Sequence, residues 1–205
     1  MTLKNNISKV TDNLDKLDEN REKILKISRQ ITRKCSNAIK AIHREEFNDY
    51  ENQIEIIKRD LNEYRDLINT NPGYFHKYLS TPEQEYVEAI CLYSIIQKKK
   101  IPNYEELEVD ALHYTLGLAD VVGELRRFIL DSIRNSDIDN LNRILETMDE
   151  IYTYLFSLDY PSGLTKDLRH KTDTARRLIE KTRGDISLSL QMDKLSELLK
   201  ENSNK

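Results

Sequence analysis

The sequence predicts an all-α protein, a single-domain bundle of long helices. The 205 residues include only five Gly and four Pro, and they are rich in Leu, Ile, Glu, Lys and Asn, which is typical of helices rather than strands. Apolar residues recur at spacings of three and four through most of the chain. The length suits one domain with a sizeable core. Because no linker, internal repeat or low-complexity tract interrupts the pattern, we expect one domain over residues 1–200 and a disordered tail over 201–205.

The first half of the chain predicts two long helices. Apolar spacing indicates a helix from about Leu3 to Phe47 and a second from about Glu46 to Ile68. Asn71-Pro72-Gly73 ends the second helix. A short helical or irregular piece is expected over Tyr74–Leu79.

A helix start is predicted at Thr81. Thr81 can cap the helix, Pro82 fits its first turn and Gln84 completes a capping box. This third helix is expected to run to about Lys98 and to stop before Pro102.

The second half of the chain predicts further helices separated by one turn. The turn is expected at Asp159–Gly163, and a break is expected at Gly184 before a final segment that ends at Leu199. The helices are predicted over roughly Glu106–Arg134, Ile138–Leu158 and Leu164–Thr182.

Composition excludes some classes and leaves function open. No stretch approaches the roughly 18 apolar residues of a membrane span, and Met1–Asp18 lacks the apolar segment of a signal peptide, so we expect a cytoplasmic protein without membrane partners. Cys35 and Cys91 have no nearby Cys or His and are predicted to be core residues in a reducing compartment. The net charge of −4 does not indicate a nucleic-acid binder, although a local basic patch suffices for phosphate contact.

Two windows of the chain are unusually poor in charge, and both contain acids. Between Tyr86 and Ile96 the one charged residue is Glu88, with Glu85 directly before the window. Between Ala111 and Leu125 the charged residues are Asp120 and Glu124. These windows are the parts of the chain most expected to be buried.

The spacing of these acids places each pair on one helix face. Glu85 and Glu88 are three residues apart, and Asp120 and Glu124 are four apart. Paired buried carboxylates repel each other, and Mg²⁺ or Mn²⁺ resolves the conflict because both favour carboxylate oxygens. Gly117 lies on the second face, as does Gly123, so a ligand or another helix can approach the backbone there.

Ordinary ion pairs are the alternative explanation of the four acids. Arg126, Arg127 or lysines from other helices could neutralise them as structural contacts. A ferritin-like di-iron centre would need Glu-x-x-His motifs, and the sequence has none.

An ordered series of motifs resembles the translin/Trax family, and together the motifs cover nearly the whole chain. They are Ser28–Thr32, Ile42–Arg44, Gln84–Ala89, Gln97–Pro102, Leu116–Arg127, Leu158–Pro161, Leu168–Asp173 and Glu180–Asp185.

The resemblance implies a catalytic, Trax-like, archaeal-type member. In that family the catalytic subunit carries a Glu-x-x-Glu and an Asp-x-x-x-Glu, which here are Glu85, Glu88, Asp120 and Glu124. The implied activity is an Mg²⁺-dependent (or Mn²⁺-dependent) endoribonuclease that cleaves single-stranded RNA by attack of water and leaves 5′-phosphates. The four carboxylates are expected to converge within reach of a shared metal, with either Glu88 or Glu124 as the base.

The implied assembly is a closed homo-octameric shell with inward-facing sites. A first helix of about 45 residues spans roughly 65 Å, so it extends past one compact domain. Its apolar positions then need a partner subunit.

The expected partners are single-stranded RNA and, as a second candidate, single-stranded DNA. A solvated helix face is the alternative explanation of the basic residues, and the four histidines are expected to be core or surface residues. A non-catalytic single-stranded DNA/RNA-binding shell and a purely structural helical scaffold remain the alternative functions. The candidate RNA-binding residues are Arg29, Lys34, Arg44, Lys98, Arg126 and Arg127.

Overall fold

A computed structural model describes residues 2–133 and 138–203, and within these ranges all regular structure is helical. None of the described helices is long and apolar enough to cross a membrane. The short elements are α3 (Pro72–Phe75), a 3-10 turn (His76–Leu79) and α7 (Ser162–Thr165). The long helices are α1 (Leu3–His43), α2 (Tyr50–Asn69), α4 (Ser80–Ile96), α5 (Ala111–Ser132), α6 (Ile138–Phe156) and α8 (Leu168–Ser203).

The predicted all-α fold is confirmed. Helices α4 and α5 begin at residues other than those predicted, because their N-terminal caps were misassigned. Helix α5 begins at Ala111 rather than near Glu106, because the side chain of Asp110 accepts hydrogen bonds from the backbone N–H groups of Leu112 and His113, at 2.8 and 3.3 Å. Residues 134–137, where the predicted end of this helix falls, lie outside the described residues.

The predicted cap at Thr81 is wrong. Helix α4 already begins at Ser80, directly after the 3-10 turn, so Thr81 lies inside its first turn. Gln84 donates to the hydroxyl of Ser80 at 2.7 Å rather than closing a capping box with Thr81.

The predicted break at Gly184 is also wrong. Helix α8 runs without interruption from Leu168 to Ser203, three residues into the segment expected to be a disordered tail. Apart from the adjoining residues and backbone of its own helix, no described atom lies within 4 Å of the position that a Cβ on Gly184 would take. An exposed glycine costs helix stability without forcing a break.

Helices α4 and α5 form the centre of the bundle, as their apolar windows predicted. Helix α4 packs between α1 and α5, and α5 packs in turn against α6 and α8. Val87 and Leu92 on α4, and Val121 and Leu125 on α5, have no exposed surface. The two cysteines are likewise fully buried in the core.

A buried polar network fixes the start of α5 against α2 and α4. Glu83 is 2% exposed and accepts hydrogen bonds from Arg65 Nε at 2.9 Å, His113 Nδ1 at 2.8 Å and the Asp110 N–H at 3.1 Å. Burial opposes ionisation of Glu83, but these three donors hold its pKa below the usual value. The network therefore sets the register of α4 against α5.

Gly117 permits the close approach of α4 and α5. A Cβ at this position would lie 2.7 Å from the carbonyl oxygen of Gln84 and 2.9 Å from Cβ of Val87. Both obstacles belong to the α4 backbone or lie next to it, so neither can rotate away. The sequence expectation of close approach at this glycine is confirmed, and the approaching group is a helix.

We expect Gly117→Ala to destabilise the protein by about 1–3 kcal/mol, because the added methyl group forces two core helices apart. Gly184→Ala is the matched control: it has open space and is expected to stabilise by about 0.5–1 kcal/mol through helix propensity. Urea unfolding of both variants measures the difference. Equal effects at the two sites would show that α4 and α5 are less closely packed than described.

Candidate functional site

The four predicted acids lie together where α4 faces α5, beside α1 and α8. Glu85 and Glu88 lie close enough to Asp120 and Glu124 for the charges of the α5 acids to raise the pKa of both α4 acids. The cluster is half-buried, with 37% of the Asp120 side chain and 25% of the Glu124 side chain exposed. The structure therefore brings the four acids to one side of the bundle.

Glu88 and Glu85 are the unpaired members of the cluster. Burial and then the charges of Asp120, Glu85 and Glu124 raise the pKa of Glu88 to about 8. Burial, then Asp120 and Glu124, also raise the pKa of Glu85. Within the described residues neither carboxylate has a hydrogen bond or an ion pair. An additional cation near them would relieve this desolvation and repulsion.

Glu124 is held by a histidine from α1. His43 Nε2 donates to Glu124 Oε2 at 2.5 Å, and only 4% of the His43 side chain is exposed. This bond lowers the pKa of Glu124 despite its partial burial. The other ring nitrogen, Nδ1, is buried and has no hydrogen-bond partner among the described residues.

Asp120 is held by a lysine from α8. The ammonium group of Lys171 donates to Asp120 Oδ2 and, at 3.1 Å, to Oε1 of Gln84. The charge of Lys171 also lowers the pKa of Glu85 and Glu88, although less than burial raises it. A cavity of about 330 Å³ adjoins the pair, between small residues of α5 and α8 that include Gly123 and Ala175.

The chemistry of this cluster fits a divalent cation, but its side chains do not form a ready ligand set. In the described part of the chain, no three His, Cys, Asp or Glu side chains are arranged to hold one ion. The expected convergence at ligand distance is therefore not seen. Like charges repel, and two of the carboxylates are bound by His43 and Lys171. Four carboxylates, two of them without a partner among the described residues, are nevertheless the oxygen-rich donors that Mg²⁺ or Mn²⁺ favours.

Arg126 does not occupy the place expected for a phosphate contact. Its Nη1 donates to Thr182 Oγ1 and its Nη2 to Asp185 Oδ2, both at 2.8 Å. Its side chain is 11% exposed. Arg126 therefore links α5 to α8. Arg127 lies nearer the cluster, 3.6 Å from Glu124, and half of its side chain is exposed.

The remaining candidate RNA-binding residues lie on the surface in different settings. Lys34 is paired with Asp60, and Arg44 is paired with Glu46 at 2.9 Å. Lys98 is exposed beyond the end of α4, with a positive φ of 55°. The structure does not bring these cations together at the acidic cluster.

The sequence did not single out His43 or Lys171. Both lie inside motifs that carry the family resemblance, Ile42–Arg44 and Leu168–Asp173. They are 81 and 51 residues from the acids that they contact, so no local spacing could have assigned them. Their presence in these motifs was the feature of the sequence that could have identified them as site residues.

We expect Glu88→Gln to stabilise the metal-free protein at high pH. Because the folded pKa is raised from 4.5 to about 8, the folded state retains a proton that the unfolded state has lost, and the free energy of unfolding falls as pH rises between these values. Because glutamine does not ionise, it removes this pH-dependent decrease in the free energy of unfolding. Each 1 kcal/mol by which that free energy increases raises Tm by about 2–4 °C. Thermal melts in EDTA should show a rise of several degrees at pH 8 and almost none near pH 4.

Glu55→Gln, on the exposed surface of α2, is the control for that measurement. It should leave Tm nearly unchanged at both pH values. A stability gain for Glu88→Gln that is independent of pH would contradict the raised pKa.

Comparisons with known sequences agree with these motifs and this fold. The Translin family matches residues 19–183. An uncharacterised protein of Methanocaldococcus jannaschii is 43% identical over 188 residues, covering 89% of this chain and 82% of that protein. Translin-associated protein X of Rattus norvegicus is 23% identical over 180 residues, covering 68% of this chain. The chain spans 62% of the rat protein's length.

Solved structures show the same architecture. The structure of AfC3PO in complex with duplex RNA has a TM-score of 0.82 and 28% identity, covering 91% of this chain and 97% of that chain. The crystal structure of apo-NeC3PO has a TM-score of 0.81 at 24% identity, covering 92% and 98%, and this likeness shows the fold. Since the family match extends over more than half of the sequence, the chain belongs to the Translin family.

Proposed function

We propose that this protein is a divalent-metal-dependent endoribonuclease that cleaves single-stranded RNA. One observation carries the proposal: four carboxylates share a half-buried site, and two of them have raised pKa values and no partner within the described residues. Such an arrangement costs stability unless a cation joins it. Strongly perturbed acids in a cluster are typical of functional sites.

Glu85, Glu88, Asp120 and Glu124 would hold the cation, Mg²⁺ or Mn²⁺. When bound, the cation would lower the pKa of a coordinated water and offset charge on the phosphate oxygens. We assign the proton-accepting role to Glu88, because its carboxylate is free of hydrogen bonds within the described residues. Glu124 suits that role less, since it already accepts the Nε2 proton of His43.

His43 and Lys171 are positioning residues in this proposal. His43 fixes the orientation of Glu124, so this carboxylate does not have to be ordered when the cation binds. Lys171 neutralises Asp120 in the metal-free site. With a cation held by the four acids, the ammonium group of Lys171 would be available beside the site to contact a phosphate.

RNA is proposed as the substrate on the strength of the relatives. The similar AfC3PO structure is described as a duplex RNA complex. Single-strand selectivity remains a prediction for this chain: a strand must bend to reach a site on the inside of a closed shell, and duplex is stiff. Single-stranded DNA is the second candidate ligand.

The shell itself is proposed from exposed apolar side chains at two helix ends. Leu3, Ile7, Val10 and Leu14 recur at spacings of three and four on α1 and are 53–76% exposed. The end of α8 carries a similar set, Leu188, Met192, Leu195 and Leu198, at 52–61%. With 41 residues, α1 is about 60 Å long and projects beyond the core. Such stripes mark interaction surfaces, and we propose a homo-octamer.

A non-catalytic nucleic-acid-binding shell is the second candidate function. It is favoured by the pairing of Asp120 with Lys171 and of Glu124 with His43, because protein groups already satisfy two of the four acids. The remaining alternative, a purely structural scaffold, would bind no nucleic acid.

We expect the wild-type protein to cleave an unstructured RNA oligonucleotide with Mg²⁺ and not with EDTA. Glu124→Gln should lower the rate at least about 100-fold while leaving RNA affinity nearly unchanged, because it alters a carboxylate rather than a phosphate contact. Gel analysis of end-labelled RNA checks the rate and the predicted 5′-phosphate ends.

Perfect duplex RNA and a DNA strand of the same sequence are the controls for this assay. Slower cleavage of duplex supports the single-strand preference. Binding without cleavage would identify a binding-only shell, and failure to bind would identify a scaffold.

We expect Val10→Glu with Leu14→Glu to reduce the size of the assembly, because two charges in an apolar interface each cost several kcal/mol when desolvated. Asn6→Glu with Asn13→Glu adds the same charge to exposed polar positions of the same helix and should leave the assembly intact. Light scattering at micromolar concentration measures both. A wild-type monomer would remove the shell, whereas the acidic cluster, built from one chain, would remain.

A further inference from the structure

A groove lies between α1 and the start of α4, and we name it the α1–α4 groove. Its volume is about 610 Å³. One wall is formed by eight residues of α1, and the other by the 3-10 turn and the first turn of α4. The lining residues that matter below are Arg29, Arg33, Ser36, Lys40, Lys77 and Tyr78.

The groove is positively charged in an acidic protein. The chain has 36 acidic and 32 basic residues, yet the groove is lined by two arginines, two lysines and no carboxylate. Side chains with a hydroxyl or amide group, among them Thr32 and Thr81, make up most of the other lining residues. The overall composition does not by itself explain this excess of cations in the groove. Cations and hydroxyl donors are the groups that bind phosphate oxygens.

The cations that α1 contributes to the groove are available to bind a ligand. Arg29, Arg33 and Lys40 are exposed and make no ion pair within the described residues. Lys34, one residue from Arg33, is paired with Asp60. The groove cations of α1 thus lack the neutralising partner that Lys34 has.

The groove leads to the acidic cluster along both of its walls. On α1, Arg29, Ser36 and His43 recur every seven residues, so they share one face over about 21 Å, and His43 binds Glu124. On α4, Thr81 lies one turn before Glu85 on the same face. A chain of phosphates lying in the groove would therefore reach the carboxylates at its end.

We propose that the α1–α4 groove binds the phosphodiester backbone of one RNA strand and directs it to the acidic cluster. This inference rests on the proposed ribonuclease function and adds the path of the substrate. The ring of Tyr78, with the ammonium of Lys77 at 5.2 Å from its centroid, offers a surface on which a base can stack. Contacts to phosphates and to a ring face make the binding independent of sequence.

The test compares two double variants that remove equal charge. Arg29→Gln with Arg33→Gln changes the groove, and Lys26→Gln with Arg59→Gln removes two exposed cations outside both the groove and the cluster. Fluorescence anisotropy of a labelled, unstructured RNA in EDTA measures affinity between about 50 and 200 mM salt. We expect the groove variant to bind at least about tenfold more weakly and its log–log salt slope to be smaller by about 1.4, since each single-strand phosphate contact contributes about 0.7.

Cleavage kinetics add a second readout. With Mg²⁺, the groove variant should show a raised KM and a wild-type kcat, because its substitutions lie away from the carboxylates. The control should match wild type in affinity, slope and KM, and circular dichroism verifies that all variants fold.

Three results would overturn the proposal. Equal loss of affinity in both double variants would mean that net charge rather than the groove binds RNA. Unchanged affinity in the groove variant, with wild-type protein that binds and cleaves, would place the RNA elsewhere and leave the proposed function standing. Wild-type protein that binds no RNA would remove the proposed function together with the groove.

Discussion

The packing of α4 against α5 is the constraint on which the rest of the structure depends. Both helices carry apolar windows that must be buried, and Gly117 lets their backbones approach closely. That approach also brings two pairs of carboxylates face to face in a half-buried setting. The free energy gained by hydrophobic burial is therefore opposed by charge repulsion between the carboxylates. The surrounding helices supply groups that reduce this repulsion.

The protein resolves the conflict only in part. Helix α1 supplies His43 for Glu124, and α8 supplies Lys171 for Asp120, so one acid of α5 is held by each neighbouring helix. In the part of the chain that the structure describes, the two acids of α4 have no partner, and their pKa values are raised. A wholly structural ion-pair cluster would satisfy all four acids. Half-satisfied carboxylates are what a cation site requires, because they give the cation both an electrostatic reason to bind and free oxygens to bind to.

The distribution of charged side chains says more about this protein than its net charge does. The net charge of −4 conceals an acidic cluster between α4 and α5 and free cations along the α1–α4 groove. Lys34, beside these cations on α1, is neutralised by Asp60. A polyanion would thus meet attraction along the groove and, in the function that we propose, metal-binding carboxylates beyond it. Such an arrangement would allow an acidic chain to bind the polyanionic substrate of that proposal.

The sequence by itself determined the fold class, the two most buried helices and the four acids, because helical periodicity and charge-poor windows are local properties of the chain. Predictions from local residue spacing were wrong where contacts between distant segments or the neighbouring elements determine the structure. Local spacing placed the α4 cap at Thr81 and a break at Gly184, since neither the preceding 3-10 turn nor the continuity of α8 is visible in residue spacing. His43, Lys171 and the groove walls come from helices far apart in sequence. Only folding brings such groups together, because contact between distant segments depends on how helices pack and not on their order.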